Sequence, residues 1–245
     1  MRNGLVIHRG EGELARGAAA IFHGSCRAAI REKGLFTAVL SGGKTPRALY
    51  ELLGAEYRDK IEWGRVHFFW GDERCVPPDS DESNFKAVNE SLLSRIDIPS
   101  ENIHRIKGEL PPKETALAYE DEIRSFFMLA PGGLPPFDLV LLGLGRDGHT
   151  LSVFPGTAAL REKERLVTEN HVRVLDSWRV TLTISAIKES RKAVFLVSGN
   201  DKAAALRDVL RGEISEVHPA GLVEAGEVIW LADREAAALL GEQSN

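Results

Sequence analysis

The chain has 245 residues, of which 43% are hydrophobic and 27% charged, a composition typical of a globular protein rather than a disordered or fibrous one. Its 31 basic and 36 acidic residues give a formal net charge of −5, so the broad basic face that nucleic-acid binding needs is not expected. Two cysteines are too few for a disulfide framework, and the strongly apolar stretch at residues 139–144 is too short to span a bilayer. We therefore expect a cytoplasmic protein that keeps reduced thiols and binds neither nucleic acid nor a membrane.

Short apolar runs alternate along the chain with longer amphipathic segments. The runs that predict strands are residues 5–8, 36–40, 66–70, 139–144, 180–184, 194–197 and 228–231. The segments that predict helices are residues 11–32, 46–53, 85–95, 114–128, 201–210 and 234–240. The break at residues 130–136 is short enough to be a connection inside one domain. The alternation predicts an α/β fold, a parallel sheet covered by helices on both faces, in a single domain over residues 1–245.

Ligand sites in such sheets lie at the carboxyl ends of strands, so the turns that follow the strands are the places to search. The first such turn, residues 41–46, has the sequence Ser-Gly-Gly-Lys-Thr-Pro and leads directly into a predicted helix. Glycines let the backbone approach a ligand closely, and free amides at a helix start point toward an anion. The turn suits a phosphate, although it lacks the spacing of a P-loop or a dinucleotide fingerprint and also fits an ordinary tight turn.

In the second turn, an aromatic strand ends in Gly-Asp-Glu-Arg at residues 71–74. Arg74 could hold a phosphate through two parallel hydrogen bonds, while Asp72 or Glu73 could orient the arginine or bind sugar hydroxyls. The alternative is a local ion pair on a solvated loop.

The third turn, which follows the strand predicted at residues 139–144, contains Gly-Arg-Asp-Gly-His at residues 145–149. Histidine has the unperturbed pKa nearest neutrality, so His149 can accept a proton from water at pH 7. Asp147 could orient the imidazole ring or raise its basicity. A position at a glycine-rich strand end favours a functional histidine over a structural one.

Two later cations, Arg179 and Lys202, could neutralise a dianion, or could be solvated surface charges. The other histidines have no metal-ligand spacing and no Cys-x-x-Cys occurs, so no metal site is expected. Ser41 and Ser152 lie outside a Gly-x-Ser-x-Gly elbow, which argues against a serine-hydrolase triad.

Taken together and in order, five segments resemble the 6-phosphogluconolactonase family. They are residues 41–46, 71–74 with 83–84, 143–156, 179–183 and 199–202. The resemblance implies a Rossmann-like, mainly parallel sheet flanked by helices, as in sugar-phosphate isomerases and deaminases. It also implies hydrolysis of 6-phospho-D-glucono-1,5-lactone to 6-phospho-D-gluconate in the pentose phosphate pathway, without metal or organic cofactor. The implied partner is a phosphorylated sugar lactone, and the resemblance leaves the oligomeric state open.

Position by position, the resemblance implies that His149 is the general base that activates water, with Asp147 as the acidic member of its turn. The implied substrate- and phosphate-binding set is Gly42, Gly43, Lys44, Thr45, Asp72, Arg74, Arg179 and Lys202. One of these cations, or a backbone amide of the glycine turns, must stabilise the oxyanion of the tetrahedral intermediate. The segment before Arg179 reads Asp-Ser-Trp, where the family more often has prolines, and this departure leaves the reach of Arg179 open.

Two other functions compete with hydrolysis. A glucosamine-6-phosphate deaminase or sugar-phosphate isomerase needs a further acid near the Asp-Gly-His turn, and residues 150–155 contain no carboxylate. A non-catalytic sugar-phosphate sensor would keep the phosphate-binding turns and lose the base, so the presence of His149 counts against it.

Overall fold

A seven-stranded parallel sheet forms the centre of the protein in the computed structural model, which describes residues 2–212 and 217–241. The described strands are β1 (Arg2–His8), β2 (Phe36–Leu40), β3 (Val66–Trp70), β4 (Asp72–Arg74), β5 (Ile103–His104), β6 (Leu139–Gly143), β7 (Val167–Val172), β8 (Ser177–Leu182), β9 (Lys192–Val197) and β10 (Glu227–Asp233). The central sheet has the order β1-β10-β9-β6-β2-β3-β5. All of its pairs are parallel, which confirms the predicted fold class. The single-domain prediction extends to residues 1, 213–216 and 242–245, which lie outside the described residues.

Helices cover the sheet because their apolar side chains recur with helical spacing. The described α-helices are α1 (Glu11–Lys33), α2 (Lys44–Glu56), α3 (Asn84–Ser91), α4 (Pro112–Phe126), α5 (Ala158–Arg161) and α6 (Ala203–Leu210). The buried stripe of α1 runs through Leu14, Ala18, Phe22 and Cys26, and it packs on a strand, β2, that is buried along its whole length. None of the described helices combines the length and apolar composition that crossing a membrane requires.

A second, antiparallel sheet of order β4-β8-β7 stands beside the carboxyl end of β3. The prediction of a buried parallel strand over residues 180–184 is therefore wrong in its pairing and its end. Residues 180–182 belong to β8 of the antiparallel sheet, and the strand stops at Leu182. The apolar run indicated a buried strand correctly but carries no information about its partners. Only residue 71 separates β3 from β4, so the chain passes from one sheet directly into the other.

The helix predicted over residues 234–240 is also wrong, since these residues form successive turns. One of their backbone hydrogen bonds spans four residues, from Ala237 to Asp233, and the next spans three, from Ala238 to Glu235, so no regular helical pattern forms. A segment this short has little intrinsic helical stability, and Gly241 at φ +78° ends it.

Candidate active site

The turns that follow β2, β3, β6 and β9 meet at the carboxyl edge of the central sheet, as expected for parallel strands. After β6 stands the pair of His149 and Asp147, in which Nδ1 of the imidazole lies 2.5 Å from Asp147 Oδ1. The histidine ring also stacks on Phe154, with ring centroids 4.0 Å apart. One side chain thus fixes the direction of the ring and another fixes its plane.

The turn that holds this pair depends on Gly145 and Gly148. A Cβ atom on Gly145 would lie 2.1 Å from His149 Nδ1, so any other residue there would displace the ring. Gly148 has φ +79°, a conformation that glycine adopts without steric cost. Burial acts to raise the pKa of Asp147, but the hydrogen bond and charge of His149 outweigh it and lower the pKa below its usual value.

A chain of contacts joins three of the predicted turns. Asn84 Nδ2 donates to the main-chain oxygen of Asp72 at 2.9 Å and approaches Asp72 Oδ1 at 3.3 Å. Ser152 Oγ, three residues after His149, donates to Asp72 Oδ2 at 2.7 Å. A Cβ atom on Gly42 would lie 1.8 Å from Asn84 Oδ1, so only glycine fits against this amide. Asp72 is therefore the centre of a buried network that holds the turns together.

Glu73 is a structural carboxylate. Its two oxygens accept hydrogen bonds from the amides of Asn84 and Phe85, both at 2.7 Å, and from the Ser83 hydroxyl at 3.1 Å. Burial raises the pKa of Glu73, and the bonds from the backbone amides offset only part of that rise. A carboxylate in this position satisfies free amides at the start of α3, which explains Glu73 without a role in chemistry.

Arg74 and Arg179 form a pair of like charges, because they lie directly opposite each other in the β4–β8 register. Arg179 is only 8% exposed, and its Nε has no hydrogen-bond partner among the described residues. Burial lowers the pKa of Arg179, and the neighbouring charge of Arg74 lowers it further. The carboxylates of Asp72, Glu82 and Glu73 act in the opposite direction on the pKa of Arg179 and offset part of this repulsion. Like charges directly opposite each other in a sheet are unfavourable, so an anion bound between the two arginines would relieve the repulsion that remains.

The turn after β2 leads into α2, whose first turn contains no acidic residue. Gly43 precedes the helix at φ +111°, and none of the described side chains caps the amides that follow it. Tyr50 fixes the turn from below, since its hydroxyl donates to the Ser41 oxygen at 2.8 Å and accepts from the Ser41 amide at 3.1 Å. The free first-turn amides at Lys44 and Thr45 make this helix start a potential anion site.

Lys202 follows β9 and is linked to the Asp-Gly-His turn through Asp201, which contacts both Lys202 and Arg146. Its Nζ lies 3.3 Å from Asp201 Oδ2, the same oxygen that Arg146 Nε contacts at 2.6 Å. The Lys44 side chain is exposed and, among the described residues, makes no ion pair with another predicted site residue. The other predicted site residues lie in the four turns or in the adjoining arginine pair.

Three side chains have positions that sequence reasoning did not assign. Asn84 and Ser152 join the turns, although both lie inside the segments that carry the family resemblance. His218 packs against the Asp-Gly-His turn, where a Cβ atom on Gly148 would lie 2.3 Å from its Nδ1, and nothing in its local sequence signals this contact. The described ranges, 2–212 and 217–241, contain no group of three or more His, Cys, Asp or Glu arranged to hold a metal ion.

The chain is similar to known proteins over most of its length. Residues 9–230 match the family described as glucosamine-6-phosphate isomerases/6-phosphogluconolactonase. A 6-phosphogluconolactonase from Nostoc is 40% identical over 215 residues, covering 86% of this chain and 88% of the relative. The 6-phosphogluconolactonase from Mycobacterium tuberculosis is 39% identical, covering 98% of this chain and 99% of the relative. The crystal structure of 6-phosphogluconolactonase from Thermotoga maritima superposes with a TM-score of 0.82 at 33% identity, covering 95% of this chain and all of that chain.

Proposed function

Because the chain belongs to the family of glucosamine-6-phosphate isomerases and 6-phosphogluconolactonases, we propose that it hydrolyses 6-phospho-D-glucono-1,5-lactone to 6-phospho-D-gluconate, with His149 as general base. The observation that carries the proposal is the position of an oriented imidazole and a pair of facing arginines at one edge of the sheet. The first suits proton transfer from water, and the second suits a phosphate.

The base is His149 Nε2. Asp147 Oδ1 accepts the hydrogen bond from Nδ1, so in the neutral ring the proton resides on Nδ1 and the lone pair on Nε2. When Nε2 takes a proton from water, the adjacent carboxylate stabilises the resulting imidazolium. Stacking on Phe154 keeps the ring in this orientation, which limits the rearrangement needed at each turnover.

The phosphate is assigned to Arg74 and Arg179. Guanidinium groups bind phosphate oxygens in pairs, and the burial of Arg179 excludes the water that would weaken that contact. The phosphate of the substrate is remote from the carbonyl that reacts. Its binding energy therefore serves to hold the lactone carbonyl beside the activated water.

The reaction then takes two steps, and one proton moves from water to His149 and from His149 to the ring oxygen. Water attacks the lactone carbonyl as His149 Nε2 accepts its proton, and the carbonyl oxygen becomes the oxyanion of a tetrahedral intermediate. Collapse of the intermediate re-forms the carbonyl and breaks the ring carbon–oxygen bond, and the imidazolium returns the proton to the departing ring oxygen. The oxyanion donor is either Lys202 or an amide at the start of α2, since both lie at this edge of the sheet.

Deamination of glucosamine 6-phosphate is the competing activity within the family. Among the described residues, the carboxylate paired with His149 is Asp147, and the segment 150–155 supplies no further acid. The other carboxylate that joins these turns, Asp72, is buried and already engaged by Ser152 and Asn84. A single base serves hydrolysis of an activated ester, whereas ring opening and aldose–ketose proton transfer need an additional acid. The site therefore favours the lactone.

The test is to produce the lactone with glucose-6-phosphate dehydrogenase and to follow its disappearance with and without this protein. We expect disappearance well above the spontaneous rate, and no ammonium release from glucosamine 6-phosphate under the same conditions. A folded wild-type protein that leaves the spontaneous rate unchanged would refute the proposal, and ammonium release would transfer the assignment to the deaminase.

A further inference from the structure

A concave groove lies at the opposite end of the sheet from the candidate active site. It is a groove of 480 Å³ between the second half of α1 and residues 60–65, the segment that precedes β3. The candidate active site follows the strands at their carboxyl ends, whereas this groove adjoins the amino ends of β2 and β3. Its volume falls within the range of about 300–1,000 Å³ that is typical of small-molecule pockets.

The groove is strongly basic in a protein that is acidic overall. Four cationic side chains line it, Arg27 and Arg31 from α1 and Lys60 and Arg65 from the facing segment, against a single carboxylate, Glu62. That carboxylate is already engaged, since Arg65 Nε lies 3.1 Å from Glu62 Oε2. Within the described residues, the other three cations form no ion pair, so the groove has positive charge that the fold itself does not neutralise.

Helix energetics explain only part of this pattern. A basic residue in the last turn of α1 is favourable because it faces the negative end of the helix dipole, and that accounts for Arg31. Arg27 lies one turn earlier, where its charge repels that of Arg31 at the four-residue spacing. Lys60 comes from a separate segment and lies over the Tyr57 ring, at 5.0 Å from its centre. Convergence of cations from two segments is therefore not required for folding.

Beneath the cations, the groove has an apolar floor. Cys26 and Ile61 are almost fully buried and Ile30 is half-buried, and all three line the groove. Burial raises the pKa of the Cys26 thiol to about 12, so the sulfur remains neutral and belongs to the apolar surface. A ligand that fits both parts has an anionic end and an apolar or planar body.

We propose that this groove binds a phosphorylated small molecule of nucleotide size. Its phosphate groups lie among Arg27, Arg31 and Lys60, and its planar body rests on the floor formed by Cys26 and Ile61. The proposal does not depend on the lactonase assignment, because the groove shares no residue with the candidate active site.

Calorimetric titration with ADP at physiological ionic strength tests the proposal. We expect saturable binding that the double variant Arg27→Ala/Arg31→Ala weakens about tenfold or more, since two charged contacts to phosphate are lost. Arg16→Ala is the matched control, an exposed arginine on the same helix outside the groove, and should bind ADP as the wild type does. The double variant should also keep the wild-type melting temperature and lactone turnover.

The same titration has outcomes that overturn the proposal. Absence of saturable ADP binding, or equal binding by the double variant, would refute the site. Loss of binding in Arg179→Ala would place ADP in the candidate active site instead. If pyrophosphate binds as tightly as ADP, the apolar floor does not contribute to binding and the proposed placement of the planar body is wrong. Weaker binding by pyrophosphate supports that placement.

Discussion

Two buried charges at opposite ends of the sheet differ in how completely the fold neutralises them. Asp138, at the amino end, is 3% exposed, and its Oδ2 accepts from the Thr37 amide at 2.8 Å and the Thr37 hydroxyl at 3.0 Å. Lys33 Nζ lies 3.0 Å from the same oxygen, and Arg191 Nε lies 3.4 Å from the other. That second oxygen, Oδ1, has no hydrogen-bond partner among the described residues and is compensated by the nearby charge of Arg191. Arg179, at the carboxyl end, is 8% exposed, faces Arg74 and has an Nε without a partner among the described residues.

We expect this difference to separate charges that hold the fold together from charges that bind a ligand. A buried ion surrounded by opposite charge and hydrogen-bond donors has recovered its cost of desolvation within the protein. A buried ion such as Arg179, which faces a like charge and is only partly offset by the carboxylates of Asp72, Glu82 and Glu73, has recovered less of that cost and recovers more when a ligand of opposite charge binds. Removing the first kind should cost stability, and removing the second should cost function.

The largest expected effect is on catalysis at the carboxyl end. His149→Ala removes the proposed base, so we expect kcat to fall by roughly 10²–10⁴-fold, the usual contribution of general-base catalysis. The melting temperature should stay close to that of the wild type, because the ring is partly exposed and packs on a single side chain. Lactone turnover and thermal unfolding measure the two quantities. His171→Ala, on the β7–β8 hairpin, is the control and should retain turnover; a folded His149→Ala variant with near-normal kcat would exclude His149 as the base.

At the amino end, the expected effect is on stability. Asp138→Ala leaves Lys33 without its buried partner, and breaking a buried ion pair typically costs about 3–5 kcal/mol in the free energy of unfolding. Urea denaturation measures this loss, and kcat of the folded fraction should be unchanged. Asp81→Ala is the control, since its carboxylate is almost fully exposed, and should cost little. An Asp138→Ala variant as stable as the wild type would show that this buried carboxylate does not stabilise the fold, and the proposed difference between the two ends of the sheet would be wrong.

Substitution of Arg179 should weaken function without lowering stability. Arg179→Met removes the proposed contacts to phosphate, worth about 1.5–3 kcal/mol each, so we expect KM for the lactone to rise roughly tenfold or more with a smaller change in kcat. Stability should be unchanged or slightly higher, because a buried cation beside Arg74 is lost. Arg173→Met, an exposed arginine in the same hairpin, should leave KM unaltered. An unchanged KM in Arg179→Met would show that the phosphate binds elsewhere.

How far the sequence predicts these features follows from the kind of signal each one leaves. Continuous apolar runs predict β2, β3 and β6, because strands buried on both faces need apolar side chains throughout. The polar strands β4 and β7 give no such signal and were not predicted. Asp-Glu-Arg at residues 72–74 forms a strand because β8 pairs with it, and that pairing is a long-range property.

The residues of the candidate site likewise fall into those whose position the sequence predicts and those whose position it does not. Glycine-rich turns after strands indicated where Gly42 and His149 would lie, since topology brings strand ends to one edge. The contacts of Asp72 with Asn84 and Ser152 join residues that are 12 and 80 positions apart, and no local pattern predicts them. The opposition of Arg74 and Arg179 likewise depends on the register of a sheet that was not predicted.

The smallest expected effect is at Ser83. It tests whether a polar group has a functional role because it lies near the arginine pair, or a structural role because its hydrogen bonds are all made within the protein. Ser83 lies at the carboxyl end, close to Arg74, yet its hydroxyl is fully engaged: it accepts from the Lys86 amide and donates to Glu73, both at 3.1 Å. By the argument from Asp138 it is structural, so Ser83→Ala should lower the free energy of unfolding by about 1 kcal/mol, the usual loss of a helix cap, and leave KM unchanged. Ser125→Ala, at an exposed helical position, should cost less. A rise in KM without a loss of stability would mean that closeness to the arginine pair, rather than hydrogen-bond satisfaction, determines function at this end of the sheet.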